Sequence, residues 1–291
     1  MSIRGELTTY AFRAAARVAD FLPERSLPAV GKYGGRVGGW PQRANRKMCA
    51  KHQARVRGHV DPDAVDEVFE AYGRYWLEIF RLPYEVERGT IMQYFDAEGY
   101  EHIEAALEHG NGVVLALPHL GGWEWAAAWM AGLGHHMLAV VEPLEPPELR
   151  EWFEAQRESY GLEIVALGDD VSARVLKALR DNRIVCLLSD RDLTGDGVEV
   201  EFFGEKTTLP AGPATVCLRT GAALIPTAVY FGPGRTHHAV IGPPLPVERA
   251  GRLRDDIARI TQEIAYVFEE RIRRAPAQWH LLQPNWPSDR E

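Results

Sequence analysis

The stretch GVVLALPHLGGWEW at residues 112–125 decides the fold class. Its first six residues carry no charge, which is typical of a short strand that is covered on both faces. Pro118 and His119 follow the strand, and Gly121 and Gly122 form a turn that can open a helix. The stretch therefore predicts a buried strand, a histidine at its carboxyl end and a helix that begins near Trp123.

Similar apolar runs recur downstream and are separated by helix-like intervals. Predicted strands lie at residues 112–117, 137–141, 163–167, 184–188 and 223–230, and predicted helices at residues 123–132, 147–160, 171–180, 211–220 and 252–274. Strands that alternate with helices build a mostly parallel sheet with right-handed crossovers. We therefore expect an α/β fold with a mostly parallel central sheet flanked by helices.

The first 97 residues lack this alternation and are predicted to be mainly helical. Apolar residues at helical spacing predict amphipathic helices over residues 7–22, ended by Pro23, and over residues 63–82. Four glycines within residues 34–39 predict a turn, and a basic segment follows at residues 43–57. Because no linker rich in Pro, Gly or Ser interrupts the chain, we expect a single domain, residues 1–291. In it, the helical extension (1–97) precedes an α/β core (98–291).

Charge is distributed unevenly along this chain of net charge −8. Residues 1–60 hold 12 Lys and Arg against 3 Asp and Glu, whereas the rest hold 21 against 38. A basic front on an acidic body suits docking on an anionic membrane surface, and a solvated helical face is the alternative. The helix at residues 7–22 either anchors at that surface or packs against the core. Nucleic acid is not an expected partner, because no recognisable nucleic-acid-binding motif accompanies the basic residues.

Composition excludes several other classes of protein. A hydrophobic content of 46% and a charged content of 25% are typical of globular chains rather than disordered or collagen-like ones. The three cysteines form no CxxC pair, which favours a reducing compartment. We expect no secretory signal, because the first residues lack a long apolar segment, and no apolar run approaches the roughly 18 residues that span a bilayer. We expect a cytoplasmic protein without a transmembrane helix.

In an open parallel sheet the ligand crevice lies beyond the carboxyl ends of the strands. Chemically active side chains follow the predicted strands here: His119, Glu142, Asp190, Arg191 and Asp192. His119 is predicted to act as a general base, because the ordinary pKa of an imidazole lies near neutrality. A carboxylate on its other ring nitrogen would fix the tautomer.

Two acids compete for that supporting position. Glu124 lies five residues after His119, and on a regular helix five residues turn the side chain about 140° away. Glu124 reaches the imidazole if the helix begins only after His119. Asp190 comes from another strand end, a more natural geometry for a dyad, so we prefer it and give Glu124 a structural or positioning role.

The string LALPHLGGWEW at residues 115–125 resembles the HX4D/E motif of the glycerolipid and lipid A type acyltransferases, the late-acyltransferase family. Further strings are similar to that family: YGRYWLEIFRLP (72–83), NRIVCLLSDRDL (182–193), VEVEFFGEKTTLPAGPATVCLRTGAALIPT (198–227) and AQWHLLQPNW (277–286). The pattern looks most like that of actinobacterial members that acylate phosphatidylinositol mannosides.

The resemblance implies a glycerolipid-acyltransferase-like fold and a specific reaction. The donor is expected to be an acyl-CoA such as palmitoyl-CoA, a co-substrate rather than a bound cofactor, and no cofactor is expected. The acceptor is expected to be a mannose hydroxyl of a phosphatidylinositol mannoside, at the cytoplasmic face of the plasma membrane, where the protein is peripheral.

The resemblance also implies roles for single residues. His119 falls on the catalytic histidine of the family, Glu124 on the acid of the motif and Asp190 on the histidine's carboxylate partner. Arg157 falls on the family's arginine after the second strand, and Glu142 precedes it. The chain departs from the family pattern at three positions. Leu120 stands where Ser or Thr is usual, Gly122 where Asn is usual, and Asp190 where Glu is usual.

These residues predict direct acyl transfer. His119 would take the acceptor proton as the hydroxyl oxygen attacks the thioester, and the N–H groups of Gly121 and Gly122 would stabilise the oxyanion. No Ser or Cys stands beside His119 in the motif, so no acyl-enzyme is expected.

Substrate contacts are predicted from charge and from aromatic content. Arg157 and Arg191 are expected to bind donor phosphates or an anionic acceptor, and an ion pair with Glu142 or Asp192 is the alternative. Glu142 and Asp192 are therefore also assigned to the substrate site. Tryptophans on one early helix either line an acyl tunnel or pack in the core: Trp123, Trp125 and Trp129.

Rival functions fit less well. A dinucleotide enzyme would need a GxGxxG turn between a strand and a helix, which is missing. A metal site, which we do not expect, would need His237 and His238 together, but adjacent residues of a strand point to opposite faces. Acyl transfer to another lipid, such as a lipid A precursor or a lysophospholipid, and a non-catalytic lipid-binding membrane protein are the alternatives.

Overall fold

The computed structural model describes residues 3–168 and 170–290. Its helices are α1 (Ile3–Phe21), α2 (Leu27–Gly39), α3 (Arg43–Arg57), α4 (Ala64–Glu87), α5 (Ile91–Tyr94), α6 (Glu101–Glu108), α7 (Trp123–Gly132), α8 (Pro147–Glu158), α9 (Val171–Arg180), α10 (Gly212–Thr220) and α11 (Leu253–Arg274). Its strands are β1 (Phe95–Glu98), β2 (Val113–Leu117), β3 (Met137–Val141), β4 (Leu162–Ala166), β5 (Ile184–Leu188), β6 (Val198–Phe202), β7 (Glu205–Leu209), β8 (Ala223–Phe231) and β9 (His237–Ile241). Short 3-10 turns occur at Glu24–Ser26, Pro276–Gln278 and Pro287–Arg290.

Within the described residues, seven strands form one sheet in the order β1-β9-β8-β2-β5-β3-β4. The strands from β8 to β4 are parallel to one another. At the other edge β9 runs antiparallel to β8 and pairs in parallel with β1. Strands β6 and β7 form a separate hairpin. The predicted α/β fold with a mostly parallel sheet is confirmed, and β1, β9 and the hairpin add to the predicted strands.

The central strand β2 is apolar at every position because both faces of the sheet are covered. Val114 and Ala116 pack in a cluster with residues of α9, α10 and α11. Val113, Leu115 and Leu117 pack in a second cluster, with residues of α6 and α7 on the opposite face. Neither face of the strand needs a polar side chain, so the alternation of a half-exposed strand is lost.

The glycines of residues 34–39 do not form the predicted turn, because they lie inside α2 and at its end. Helix α2 packs closely against α4, and Gly35 and Gly73 lie at the contact. A Cβ on Gly35 would lie 2.0 Å from the carbonyl oxygen of Phe69, and one on Gly73 would lie 2.4 Å from the Gly35 Cα. The prediction was wrong because all four glycines continue the helix. Gly35 permits close backbone approach between α2 and α4, whereas a Cβ on Gly34 or Gly38 would meet no atom within 4 Å.

The predicted N-terminal helix is present as α1, but its apolar stripe faces outward. Leu7 and Val18 are more than half exposed and Phe21 is 84% exposed. Phe12, on another face of α1 from Leu7 and Val18, contacts Trp76, Phe80 and Phe153 with ring centroids 5.7–5.8 Å apart. The apolar stripe of α1 therefore does not pack against the core, and its anchoring at a membrane surface stays a prediction. Across residues 3–168 and 170–290, no helix has the length and apolar character of a membrane span.

Candidate active site

Strands β2 and β5 bring the two principal site residues together. They are neighbours in the sheet, with Leu117 opposite Leu188, and the Ser189 N–H donates to the Leu117 carbonyl oxygen (2.9 Å). Residues that follow the two strands therefore leave the sheet at the same edge. His119 and Asp190 lie side by side there, as expected from the carboxyl ends of adjacent parallel strands.

The carboxylate of Asp190 holds both the ring and the backbone of His119. Oδ1 lies 2.6 Å from His119 Nδ1, and Oδ2 accepts the His119 backbone N–H at 2.9 Å. The Asp190 side chain is fully buried, whereas that of His119 is 35% exposed. The structure places the two residues as a dyad whose inner end is sealed and whose outer ring nitrogen, Nε2, is left for a reactant.

Burial and charge oppose each other in this pair. Burial lowers the pKa of His119, but the negative charge and hydrogen bond of Asp190 outweigh it and raise that pKa. Burial raises the pKa of Asp190, but the His119 charge and the bonds from His119 and Trp279 outweigh it and lower that pKa. Asp190 is therefore ionised, and it accepts the Nδ1 proton. An imidazole held this way can take a proton at Nε2 and be stabilised as imidazolium.

Glu124 is not brought to His119. It is 1% exposed, and it accepts hydrogen bonds from Arg157 Nη2 (2.7 Å) and Tyr160 Oη (2.6 Å). Helix α7 begins at Trp123, so Glu124 stands in its first turn and points away from the strand-end turn that carries His119. Between the two acids considered, the structure selects Asp190 as the partner of the imidazole, and Glu124 cannot support the ring directly from this position.

Arg157 forms an ion pair, but with a different partner from those considered in the sequence. Its guanidinium binds Glu124 rather than Glu142 or Asp192, and its side chain is largely buried. Burial lowers the pKa of Arg157, but Glu124 outweighs burial and raises it. Burial also raises the pKa of Tyr160 well above its ordinary value, so Tyr160 stays a neutral donor. Contact of Arg157 with a phosphate stays a prediction.

The three remaining charged residues after β3 and β5 lie nearer the surface. Arg191 Nη1 contacts Glu142 Oε2 at 3.3 Å, in the ion pair that was considered, and Glu142 is more than half exposed. Asp192 instead organises its own loop, accepting the N–H groups of Gly195 and Gly197 (both 2.9 Å). The alternative ion pair with Asp192 is not formed. Substrate contacts of all three residues stay predictions.

Gly121 and Gly122 lie in the turn between β2 and α7. Gly121 has a φ of +58°, and a Cβ there would lie 2.2 Å from the Val229 carbonyl oxygen, so only glycine fits. Its N–H donates to the Gln278 carbonyl oxygen (3.0 Å). The prediction that it faces an oxyanion is therefore wrong, because the donor is already used. The Gly122 N–H makes no hydrogen bond to any described residue, which leaves it as a candidate donor before α7.

Two site residues come from the C-terminal segment, where no spacing in the sequence indicates them. Trp279 donates its indole N–H to Asp190 Oδ2 at 2.7 Å. The His280 backbone N–H donates to the His119 carbonyl oxygen at 2.8 Å. Burial, and then the charge of His119, lower the pKa of His280 to about 3, so its ring is neutral. The string AQWHLLQPNW pointed to this segment only through family resemblance.

Sequence comparison extends over nearly the whole chain. A sequence model of the family described as "Bacterial lipid A biosynthesis acyltransferase" matches residues 2–288. The chain belongs to this family. Two relatives are each named phosphatidylinositol mannoside acyltransferase. The one from Mycobacterium tuberculosis is 39% identical over 298 residues, covering 99% of this chain and 91% of the relative. The one from Mycolicibacterium smegmatis is 37% identical over 296 residues, covering 98% and 93%. The family resemblance seen in the sequence is thereby confirmed.

In this member of the lipid A biosynthesis acyltransferase family, an apolar cavity lies under the sheet face that carries Leu115 and Leu117. Trp123 and Trp129 of α7 line it, and Cys186 of β5 lies opposite. The cavity is small, about 20 Å³, and neither His119 nor Asp190 lines it, although Leu117 stands two residues before His119. Of the three tryptophans considered for an acyl tunnel, Trp125 does not line this cavity. Its ring stacks on buried His237 with centroids 4.3 Å apart.

Proposed function

We propose that this protein transfers a palmitoyl group from palmitoyl-CoA to a mannose hydroxyl of phosphatidylinositol mannosides. The acceptor class is supported by the names of two relatives that are 37–39% identical over nearly the full chain. The observation that carries the chemistry is the His119–Asp190 dyad, in which a buried carboxylate holds a partly exposed imidazole at the carboxyl edge of the sheet. Such an imidazole suits the removal of a proton from an acceptor hydroxyl.

The proposed reaction is a direct transfer. The acceptor oxygen attacks the thioester carbonyl carbon while its proton passes to His119 Nε2, and the carbonyl becomes a tetrahedral oxyanion. The intermediate then collapses, the bond from carbon to sulfur breaks, and the CoA thiolate leaves and takes the proton from His119. Asp190 stabilises the imidazolium between these steps. The N–H of Gly122 is the proposed oxyanion donor.

A covalent intermediate on a cysteine is disfavoured by the state of the thiols. Cys186, the cysteine that lines the cavity, is buried, and burial raises the pKa of its thiol to about 12. Burial raises the pKa of Cys49 to about 12 as well. Protonated thiols are poor nucleophiles, so direct attack by the acceptor is the simpler route.

We further propose that α1 and α2 place the enzyme on the cytoplasmic face of the plasma membrane. Beside the exposed stripe of α1, helix α2 exposes Tyr33 and Val37, and Trp40, the residue that follows the helix, is 80% exposed. Lys32 and Arg36 lie on the same helix and form ion pairs with Asp66 and Glu70 of α4, with about half of each cationic side chain exposed. Exposed aromatic and aliphatic side chains on the basic front of the chain suit insertion at an anionic lipid surface.

The test of acceptor and donor is mass spectrometry of lipids formed from palmitoyl-CoA and a panel of phosphatidylinositol mannosides. We expect an added palmitoyl group on a mannoside and stoichiometric release of CoA. The variant His119→Ala should bind palmitoyl-CoA and form no product, whereas His238→Ala, a half-exposed histidine on β9, should act as the parent does.

The second candidate function is acylation of a lipid A precursor, which the description of the family favours, or of a lysophospholipid. Product from these lipids but from no mannoside would replace the proposed acceptor. Product only with an acyl carrier protein thioester would replace the proposed donor. Binding of lipid without any product, in parent and His119→Ala alike, would mean a non-catalytic lipid-binding protein.

A further inference from the structure

Residues 276–290 run along the edge of the active site, far in sequence from both members of the dyad. Trp279 and Leu120 form an isolated antiparallel bridge, flanked by hydrogen bonds from Gly121 N–H to Gln278 and from His280 N–H to His119. We infer that Trp279 is a positioning residue for acyl transfer, acting through Asp190. This inference rests on the proposed role of His119 as the base.

The geometry of the Asp190 carboxylate leads to this assignment. Oδ1 faces His119 Nδ1, while Oδ2 accepts two donors, the His119 backbone N–H (2.9 Å) and the Trp279 indole N–H (2.7 Å). The two donors on Oδ2 hold the plane of the carboxylate, so that Oδ1 points at the imidazole. Without the indole N–H, only the two bonds to His119 itself would hold the carboxylate, so its orientation and that of the ring would be less firmly fixed.

Trp279 can serve this purpose because its own position is secured. It is 1% exposed and packs among aromatic rings that include Phe202 and Trp286. Three further hydrogen bonds tie the segment to the core. Asn285 Nδ2 donates to the Asp190 carbonyl oxygen (3.1 Å), and the two ring nitrogens of His52 lie 3.0 Å from the Leu281 carbonyl oxygen and from Asp289 Oδ2. The indole N–H is thus held by the packing of the whole segment rather than by a flexible side chain.

The chain contains a matched control for the indole N–H. Trp286 is also 1% exposed and belongs to the same aromatic cluster, but its N–H donates to the Phe202 carbonyl oxygen (3.0 Å) and does not touch the dyad. Replacement of either tryptophan by Phe removes a buried indole N–H and part of a ring. Only Trp279→Phe removes a donor from Asp190.

The experiment compares Trp279→Phe and Trp286→Phe in the full-length protein. We expect kcat with palmitoyl-CoA and the best mannoside acceptor to fall about tenfold in Trp279→Phe, since a hydrogen bond to a charged group is lost, with KM for palmitoyl-CoA unchanged. Trp286→Phe should keep kcat within about twofold. Proton NMR of both variants should show the low-field resonance of the His119 Nδ1 proton moved or broadened only in Trp279→Phe.

The NMR measurement needs no substrate, so it tests positioning even if no acceptor is acylated and the proposed function fails. If Trp279→Phe does not fold, benzothienylalanine at position 279 keeps the shape of the ring and replaces its N–H by sulfur. An unchanged His119 proton resonance in Trp279→Phe, or equal losses of kcat in the two variants, would overturn the assignment.

Discussion

Replacement of Asp190 by Asn removes the charge that supports His119 while nearly preserving the shape of the side chain. The surroundings of Asp190 dictate how the new amide must lie. Oδ2 accepts two N–H donors, from the His119 backbone and from Trp279, so the amide oxygen has to stay at that position. The amide NH2 then faces His119 Nδ1, which must become an acceptor. The proton moves to Nε2, and the ring can no longer take a proton from the acceptor hydroxyl.

The size of the effect follows from the alternative orientation of the amide. Turning the amide over would restore an acceptor for His119 Nδ1 but would leave two buried donors unpaired, at about 1–3 kcal/mol each. The productive arrangement is therefore disfavoured by about 2–6 kcal/mol in Asp190→Asn. Because about 1.4 kcal/mol corresponds to tenfold in rate, kcat should fall between roughly 30-fold and 10⁴-fold.

The assay is continuous detection of released CoA at saturating palmitoyl-CoA and acceptor, with thermal unfolding measured in parallel. Asp256→Asn is the control, since Asp256 is a buried carboxylate that accepts backbone N–H bonds from Ala250 and Gly251 at the start of α11. It should keep the parent kcat. An Asp190→Asn variant that is folded and retains kcat within threefold would refute the tautomer argument.

The same variant makes a prediction about pH. In the parent, kcat should fall as the pH drops through the pKa of His119, because the protonated ring cannot act as a base. Asp190 raises this pKa against the effect of burial, which lowers it. In Asp190→Asn the opposing carboxylate charge is lost, so the acid limb of the residual activity should move to lower pH. If the acid limb of the pH profile is the same in Asp190→Asn and in the parent, a group other than His119 controls it.

Three further predictions concern stability and membrane binding. Glu124→Gln leaves Arg157 without its buried partner charge, so the free energy of unfolding in urea should fall by about 3–5 kcal/mol; an unchanged midpoint would contradict a structural role. Gly35→Ala should lower the free energy of unfolding by about 1–3 kcal/mol, because the new Cβ meets the Phe69 carbonyl oxygen at the α2–α4 contact. Its control, Gly34→Ala, should raise the free energy of unfolding by about 0.5–1 kcal/mol, because the new Cβ meets no atom within 4 Å. Trp40→Ser should weaken co-sedimentation with anionic vesicles at low salt. Val60→Ser, which changes an equally exposed apolar residue, should not. Equal effects of the two substitutions would mean that the end of α2 is not part of the membrane-binding surface.

Much of the fold followed from local patterns. An uncharged run such as residues 112–117 indicates a strand covered on both faces, and its repetition between helical intervals indicates a parallel sheet. Placing His119 and Asp190 at the ends of two such strands was enough to expect them together, because the ends of adjacent parallel strands meet at one edge. Local sequence therefore determined the α/β class and favoured Asp190 over Glu124 as the partner of the imidazole, and the adjacency of β2 and β5 in the sheet decided between the two acids.

Tertiary structure decided which surfaces of the helices and loops are in contact. The glycines of α2 indicate a turn when only the sequence is considered, but in the structure Gly35 lies against α4. The apolar stripe of α1 is exposed because Phe12, on another face of the helix, packs inward. The Gly121 N–H was expected to be free, but the chain returns with Gln278 to accept it. Periodicity reports only how buried a position is, whereas a hydrogen bond such as that of Trp279 with Asp190 joins residues 89 positions apart. Folding alone brings such groups within bonding distance.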